Sequence, residues 1–221
     1  MSPQTAALFD LDGVIIDTEP QYTQFWKAIG KQNHPDVADF PARVKGQTLA
    51  YILNHYFPDA ETRERINEQL TDYESTMKYP FISGALIFVD ALRAAGIETA
   101  VVTSSNQLKM QQLYKYHPDF TSHFTQILTA EDTTKSKPAP DCYLNAARVL
   151  HKDIRRCVVF EDSYNGLRAG RAAGALVVGL STTLSPTDIA PLADEVIPDF
   201  AAFTTDDLQA LILRHSSDIQ H

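Results

Sequence analysis

The sequence is poor in cysteine and contains no long hydrophobic run. Its two cysteines, Cys142 and Cys157, form no Cys-x-x-Cys pair and, together with His151, do not match a zinc-finger spacing. We therefore predict buried thiols in a reducing cytoplasm. No apolar stretch approaches the about 20 residues that a membrane span needs, and Asp10 and Asp12 come too early for a secretory leader. We expect a cytoplasmic protein with no membrane partner.

Basic residues are also scarce. The chain of 221 residues carries 19 Lys and Arg against 28 Asp and Glu, a formal charge of −9, without any cluster of cations. This balance argues against a nucleic-acid partner, but a phosphorylated small molecule could still bind beside a local cation. The sequence contains no GxxxxGK[ST] loop, no GxGxxG turn, no HExxH motif and no EF-hand loop. Its length suits one large domain, or one domain with a smaller insert. We expect a monomer.

Six short runs, most of them rich in β-branched residues, predict strands. They are unbroken rather than alternating, which is typical of parallel strands covered by helices on both faces. Helical patterns lie between them, so the sequence predicts an α/β fold with a doubly wound parallel sheet. The runs are Ala6–Phe9, Glu98–Thr103, Gln126–Ala130, Cys157–Glu161, Ala175–Leu180 and Asp194–Pro198.

The segment 17–81 interrupts this alternation. It contains no convincing strand, and its apolar residues recur at helical spacing on a charged background. We predict a small helical domain at 17–81, inserted into an α/β domain made of 1–16 and 82–221. Its aromatic residues are interpreted mainly as the core of the helical bundle. The helical stripes are Tyr22, Phe25, Trp26 and Ile29; Leu49, Ile52, Leu53 and Tyr56; and Ile66, Leu70, Tyr73 and Met77.

Polar side chains follow four of the predicted strands. The carboxyl ends of parallel strands lie along one edge of the sheet, where open α/β sheets bind their ligands. Each segment alone also suits a turn or a helix N-cap, but together they favour a catalytic site. The residues are Asp10 and Asp12 after the first strand, Thr103 to Asn106 after the second, Lys135 and Lys137 after the third, and Glu161 and Asp162 after the fourth.

The acidic residues in this set suit a hard divalent cation. Asp10, Glu161 and Asp162 would offer only oxygen ligands, which Mg²⁺ prefers together with water and phosphate oxygens. An ionised carboxylate beside a bound phosphate can attack phosphorus, so we predict Asp10 as a nucleophile that forms an aspartyl-phosphate. Asp12 would then serve as the acid and base for the leaving group and for water.

The remaining polar residues suit the transferring phosphoryl group. We predict that the Thr103 hydroxyl, the backbone around Ser104 and the Lys137 ammonium bind its oxygens.

Four segments of the chain resemble, in order, the four motifs of the haloacid dehalogenase superfamily. They are "FDLDGVIIDTEP", "VVTSSN", "KSKPAPDCYL" and "VVFEDSYNGLRAGRAAGA". The helical insert is similar to the C1 cap of the β-phosphoglucomutase/phosphatase-like branch. The resemblance implies a Rossmann-like core and a Mg²⁺-dependent phosphotransferase that works through a phosphoaspartate. It implies metal ligation by Asp10, by the backbone carbonyl of Asp12 and by Asp162, with Glu161 beside it.

The resemblance favours a phosphatase over other branches of the superfamily. Dehalogenases and phosphonatases lack the second aspartate, which is Asp12 here. β-Phosphoglucomutase has an arginine where this sequence has Leu49, a histidine at the position of Tyr22 and a lysine near Ser75. We predict hydrolysis of a sugar or polyol phosphate, with a phosphosugar mutase as the alternative. A non-catalytic phosphometabolite binder or a receiver-like signalling domain is a second alternative.

The loop "VKGQTL" of the insert is similar to the substrate loop of β-phosphoglucomutase. We therefore predict contacts of the substrate with Gly46, Gln47 and Thr48, and with Ser105 and Asn106 of the α/β domain. Two further candidates are Tyr22 and Lys78.

Overall fold

A computed structural model describes residues 5–218 of the chain. Its centre is a six-stranded parallel sheet in the order β3-β2-β1-β4-β5-β6, with helices on both faces. This confirms the predicted fold class, and each strand lies within a predicted run. The strands are β1 (Ala6–Phe9), β2 (Glu98–Val102), β3 (Gln126–Leu128), β4 (Cys157–Glu161), β5 (Leu176–Leu180) and β6 (Glu195–Ile197).

Ten α-helices accompany the sheet in the described part of the chain. The first five lie between β1 and β2, and the others connect or follow the later strands. The helices are α1 (Glu19–Asn33), α2 (Phe40–Val44), α3 (Leu49–Tyr56), α4 (Ala60–Thr76), α5 (Ala85–Ala94), α6 (Gln107–Tyr116), α7 (Asp141–Val149), α8 (Tyr164–Ala173), α9 (Pro186–Ile189) and α10 (Thr205–Asp218).

The four inner strands β1, β2, β4 and β5 are buried on both faces, as their unbroken hydrophobic runs predict, whereas the edge strands β3 and β6 are partly exposed. Successive side chains of a strand point to opposite faces. Accordingly, Ala7 and Phe9 of β1 belong to one buried cluster, while Ala6 and Leu8 belong to another on the opposite face. Both cysteines are free and buried, as predicted. No helix in the range 5–218 is long and apolar enough to cross a membrane.

The sheet reverses its direction of growth beside β1. The chain adds β2 and β3 on one side of β1 and then crosses over to place β4 on the other side. Phe9 pairs with Val101 of β2 and with Phe160 of β4, so the chain leaves β1 between the ends of these two neighbours. Such a reversal opens a crevice at the carboxyl ends of the strands.

Helices α1 to α4 enclose a hydrophobic cluster of their own, which includes Phe25, Trp26, Phe40 and Ile66. We call these four helices the cap. The chain enters and leaves the cap through paired backbone segments: the amide of residue 17 donates to the carbonyl of residue 80 at 2.8 Å, and residue 82 donates to residue 15 at 2.9 Å. The predicted domain boundaries lie at this crossing, and the division into two domains stays a prediction.

Phe9 provides a test of the central packing. Its ring is fully buried and stacks on Phe160 at 4.6 Å between centroids. Phe9→Ala should lower the free energy of unfolding by about 3–5 kcal/mol, because it removes the ring and leaves a cavity. Urea denaturation measures this change. Ile87→Ala is the control, since Ile87 is 79% exposed, and a loss no larger than that of the control would contradict the packing described.

Candidate active site

Asp10 lies in the crevice immediately after β1. Its backbone amide donates to the carbonyl of Phe160 at 3.0 Å, which continues the pairing with β4. Its side chain is buried, and Lys137 donates to Oδ1 at 2.7 Å. Burial raises the pKa of Asp10 well above its ordinary value, against the opposing effect of Lys137.

Lys137 connects two carboxylates from neighbouring strands. Its ammonium lies 2.7 Å from Asp10 and 2.7 Å from Oε1 of Glu161, and it also donates to the carbonyl of Val102 at 3.3 Å. The side chain is 1% exposed. Burial disfavours the ammonium, but the two carboxylates outweigh this effect and raise the pKa of Lys137 well above its ordinary value. The lysine therefore stays charged beside Asp10.

Glu161 is held by donors at both of its oxygens. The Tyr143 hydroxyl donates to Oε1 at 2.9 Å, while the amides of Asp162 and Ser163 and the Ser163 hydroxyl donate to Oε2 at 3.0–3.2 Å. A Cβ on Gly166 would lie 1.6 Å from Oε1, so only glycine leaves room for this carboxylate. Glu161 thus fixes the position of Lys137.

Asp10, Glu161 and Asp162 form a buried all-oxygen cluster. One carboxylate oxygen from each lies within 4.8 Å of the others. Burial, together with the nearby Glu19 and Glu161, raises the pKa of Asp162 to about 8, although Lys45 opposes this at 3.6 Å. Hard oxygen ligands that gather negative charge in a small volume fit Mg²⁺. Because Glu161 is already fully bonded, Asp10 and Asp162 are the ligands with the freer oxygens.

Asp12 faces the cap side of the crevice. The Ser105 hydroxyl donates to its Oδ2 at 3.0 Å, the Thr18 hydroxyl donates to Oδ1, and the Lys109 ammonium contacts both oxygens. The side chain is 14% exposed, so it remains open to the cavity that it lines. Gly13 follows in a turn with φ of 78°.

The segment after β2 combines capping with exposure to the site. Thr103 is buried, and its hydroxyl accepts from the amide of Ser105 at 3.0 Å. Asn106 is the N-cap of α6, because its side chain accepts from the amide of Lys109 at 3.0 Å. The N-cap interpretation of this segment is therefore correct for Asn106, which also lines the cavity together with Thr103, Ser104 and Ser105.

The loop between α2 and α3 docks the cap onto the α/β domain. Ser104 donates to the carbonyl of Gly46 at 2.7 Å, Asn165 donates to that of Lys45 at 2.8 Å, and the Thr48 amide donates to Ser136 at 2.8 Å. These bonds hold the cap over the crevice.

A cavity of about 90 Å³ lies between the cap and the carboxyl ends of the strands. Asp10, Asp12 and Asp162 line it from the sheet, and Tyr22, Gly46 and Gln47 from the cap. The structure thus brings together most of the predicted site. Three predicted residues stand apart: the Thr48 side chain is the N-cap of α3, and Lys78 and Lys135 are exposed on the surface.

Four residues that contribute to the site were not predicted. Lys45 lies 2.7 Å from Glu19, and both line the cavity. Glu74 lines it as well and accepts from the Tyr22 hydroxyl at 2.7 Å, while Lys109 contacts Asp12. Burial raises the pKa of Glu19 and of Glu74. The only signal in the sequence was that Lys45 lies within the loop VKGQTL and Glu19 within the first motif.

Comparison with known proteins agrees with this geometry. A family model for haloacid dehalogenase-like hydrolases matches residues 4–174. A crystal structure of a HAD hydrolase, family IA, variant 3, from Entamoeba histolytica HM-1:IMSS superposes with a TM-score of 0.79 and 26% identity, over 95% of this chain and 99% of that chain.

Three curated relatives span different activities. Glycerol-1-phosphate phosphohydrolase 2 of Saccharomyces cerevisiae is 31% identical over 80% of this chain and 75% of its own length. Beta-phosphoglucomutase of Mycobacterium bovis is 31% identical over 89% of this chain and 90% of its own. The bifunctional riboflavin kinase/FMN phosphatase of Arabidopsis thaliana is 28% identical over 87% of this chain, which spans only about half (52%) of that relative. The four motifs meet in one crevice, and the family model covers most of this chain. The chain therefore belongs to the haloacid dehalogenase-like hydrolases, as predicted, and is an enzyme of that family.

Proposed function

We propose that the protein is a Mg²⁺-dependent phosphatase that hydrolyses a small sugar or polyol phosphate through an aspartyl-phosphate on Asp10. The observation that carries the proposal is the position of Asp10. Its carboxylate lies at the floor of a capped cavity, with Lys137 bonded to one oxygen, Asp162 nearby, and Asp12 two residues further on. A nucleophile, a cation and an acid/base group are thus arranged around one place where a phosphoryl group fits.

In the first step, a carboxylate oxygen of Asp10 attacks phosphorus, and the bond from phosphorus to the ester oxygen breaks. Asp12 gives its proton to that oxygen, so a neutral alcohol leaves and Asp10 carries the phosphoryl group. Lys137 and the backbone around Ser104 stabilise the negative charge on the phosphoryl oxygens.

In the second step, water attacks phosphorus and the bond to Asp10 breaks. The Asp12 carboxylate takes a proton from the water, inorganic phosphate leaves, and both aspartates return to their initial state. Asp10 and Asp162 would hold the magnesium ion. When bound, the ion offsets the negative charge of the carboxylates and of the phosphate, which must approach one another.

The scarcity of cations in the cavity lining favours a phosphatase over a mutase. A mutase of this type binds two phosphates and needs a second anion site. Lys45 is the one cation among the described residues that line the cavity, and it is already paired with Glu19 and near Asp162. Leu49 lines the cavity where an arginine would be expected for a second phosphate.

The cap side of the cavity suits a hydroxylated leaving group. The Glu74 carboxylate and the Tyr22 hydroxyl could bind alcohol groups, and so could the buried Oε1 of Gln47, which accepts no hydrogen bond from any residue in the range 5–218. The glycerol phosphate and glucose phosphate named in two relatives are consistent with this chemistry.

The nucleophile is tested with Asp10→Asn. Loss of the carboxylate should lower the rate of p-nitrophenyl phosphate hydrolysis with Mg²⁺ by at least about 10³-fold, because the covalent step is removed. Steady-state assays and detection of phosphate on the acid-quenched enzyme measure both consequences. Asp72→Asn, an exposed aspartate on α4, is the matched control. Wild-type turnover in Asp10→Asn would refute the proposal.

The metal site is tested by thermal unfolding with and without MgCl₂. A ligand at about 100 times its Kd stabilises the folded state by about 2.7 kcal/mol, so the wild type should unfold at higher temperature when Mg²⁺ is added. Asp162→Asn should lose most of this increase, since it removes one of the two freer carboxylates. Asp72→Asn should keep it. An unchanged magnesium effect in Asp162→Asn would place the ion elsewhere.

Phosphatase and mutase activity are distinguished with β-glucose 1-phosphate as the substrate. With a glucose bisphosphate primer and Mg²⁺, we expect release of inorganic phosphate from this or another sugar or polyol phosphate, and no glucose 6-phosphate. Coupled enzyme assays follow both products. Formation of glucose 6-phosphate faster than release of phosphate would establish the mutase alternative.

A further inference from the structure

Lys109 is a buried cation that none of the four motifs includes. It lies in the first turn of α6 and is 2% exposed. Its ammonium contacts both oxygens of Asp12 and donates to the Ser105 hydroxyl at 3.0 Å. The ring of Tyr22 covers it, with the nitrogen 4.5 Å from the ring centroid. Asp12 is therefore the carboxylate that the Lys109 ammonium touches, and its charge reaches Glu74 and Glu19 without a hydrogen bond.

This position is unfavourable for a lysine on two independent grounds. The N-terminal turn of a helix carries a positive partial charge, which favours acidic rather than basic residues. Burial of an ammonium in addition costs solvation free energy, and an apolar residue of similar size would often be at least as stabilising. Burial and helix geometry therefore do not explain why the first turn of α6 contains a buried cation, whereas the contact of Lys109 with Asp12 does.

We propose that Lys109 is a positioning residue for Asp12, which aims the acid/base carboxylate at the leaving group and balances its charge after proton transfer. The inference rests on the proposed function. Thr18, Ser105 and Lys109 together give both Asp12 oxygens fixed partners on three different segments. A carboxylate with this many partners cannot rotate freely, so its remaining exposed edge faces the cavity.

The charge of Lys109 matters most when the leaving group departs. In that step Asp12 loses a proton and becomes a carboxylate, and the adjacent ammonium attracts this new negative charge at short range. The proton goes to the ester oxygen, as in the first step above, and Lys109 keeps all of its own protons. Lys109 therefore acts through Asp12 and does not contact the substrate.

The cap completes the surroundings of Lys109. Tyr22 from α1 lies over the ammonium, and its hydroxyl donates to Glu74 of α4 at 2.7 Å. The Tyr79 hydroxyl donates to the carbonyl of Glu74 at 2.9 Å and ties α4 to the segment that leaves the cap. Water is thereby excluded from Lys109 when the cap is docked, which strengthens the attraction between Lys109 and Asp12.

The inference is tested by comparing two phosphate esters of similar shape in Lys109→Met. p-Nitrophenolate leaves without a proton, whereas phenolate, with a pKa of about 10 like tyrosine, depends on the acid. Because kcat/KM reports the steps up to departure of the leaving group, phenyl phosphate should lose on the order of 10²-fold in kcat/KM. p-Nitrophenyl phosphate should lose less than about threefold, since general acid catalysis contributes little to it.

The controls separate this role from a structural one. Lys115→Met, at an exposed lysine on the same helix, should leave both rates unchanged. Lys109→Gln removes the charge but keeps a polar side chain, and it should show the same selective loss if Lys109→Met fails to fold. Lys109→Arg, which keeps a cation, should restore much of the lost phenyl phosphate activity.

Equal losses for both esters in the folded Lys109 variants, or no loss for phenyl phosphate, would overturn the inference. These outcomes leave the proposed function intact as long as turnover in the wild type depends on Asp10. If Asp10→Asn retains wild-type rates, the proposed function itself fails, whatever Lys109 does.

Discussion

The site depends on the two ion pairs that Lys137 makes with Asp10 and Glu161. Its ammonium lies 2.7 Å from a carboxylate oxygen of Asp10 on one strand end and 2.7 Å from one of Glu161 on the next. Two carboxylates this close would repel each other, and burial would favour their protonation. The buried lysine opposes both effects, although burial still leaves the pKa of Asp10 above its ordinary value, and a bound divalent cation would favour the charged nucleophile further. The tyrosine hydroxyl and backbone amides around Glu161 in turn keep the lysine in place.

The cap supplies what the sheet alone lacks. The strand ends provide the acidic residues and the phosphate-binding segment, but they would be open to water. The loop at Lys45 and Gly46 bonds to Ser104 and Asn165 of the α/β domain, and Tyr22 covers Lys109. Closure therefore does more than shield the crevice, because it places cap residues against the phosphate-binding segment at Ser104 and against Lys109, the partner of Asp12.

Much of this arrangement was predictable from sequence because it follows from local rules. Unbroken apolar runs predict buried parallel strands, and the polar residues directly after them must meet at one edge, which gave Asp10, Thr103, Lys137 and Asp162. Lys109 was missed because its partner, Asp12, is 97 residues away and no periodicity links them. Thr48 illustrates the opposite error, in which a structural residue is assigned to the site: its hydroxyl lies beside a motif but caps a helix. The monomeric state, the cytoplasmic location and the substrate contacts stay predictions.

The central claim is that Asp10 carries the phosphoryl group. The most direct measurement is a crystal structure of the protein grown with MgCl₂ and a beryllium or aluminium fluoride, which mimic a phosphoryl group on a carboxylate. The account predicts fluoride density bonded to a side-chain oxygen of Asp10, with magnesium between this group and Asp162 and with Lys137 still bonded to Asp10. Density on another residue, or an Asp10 carboxylate without the fluoride, would contradict it.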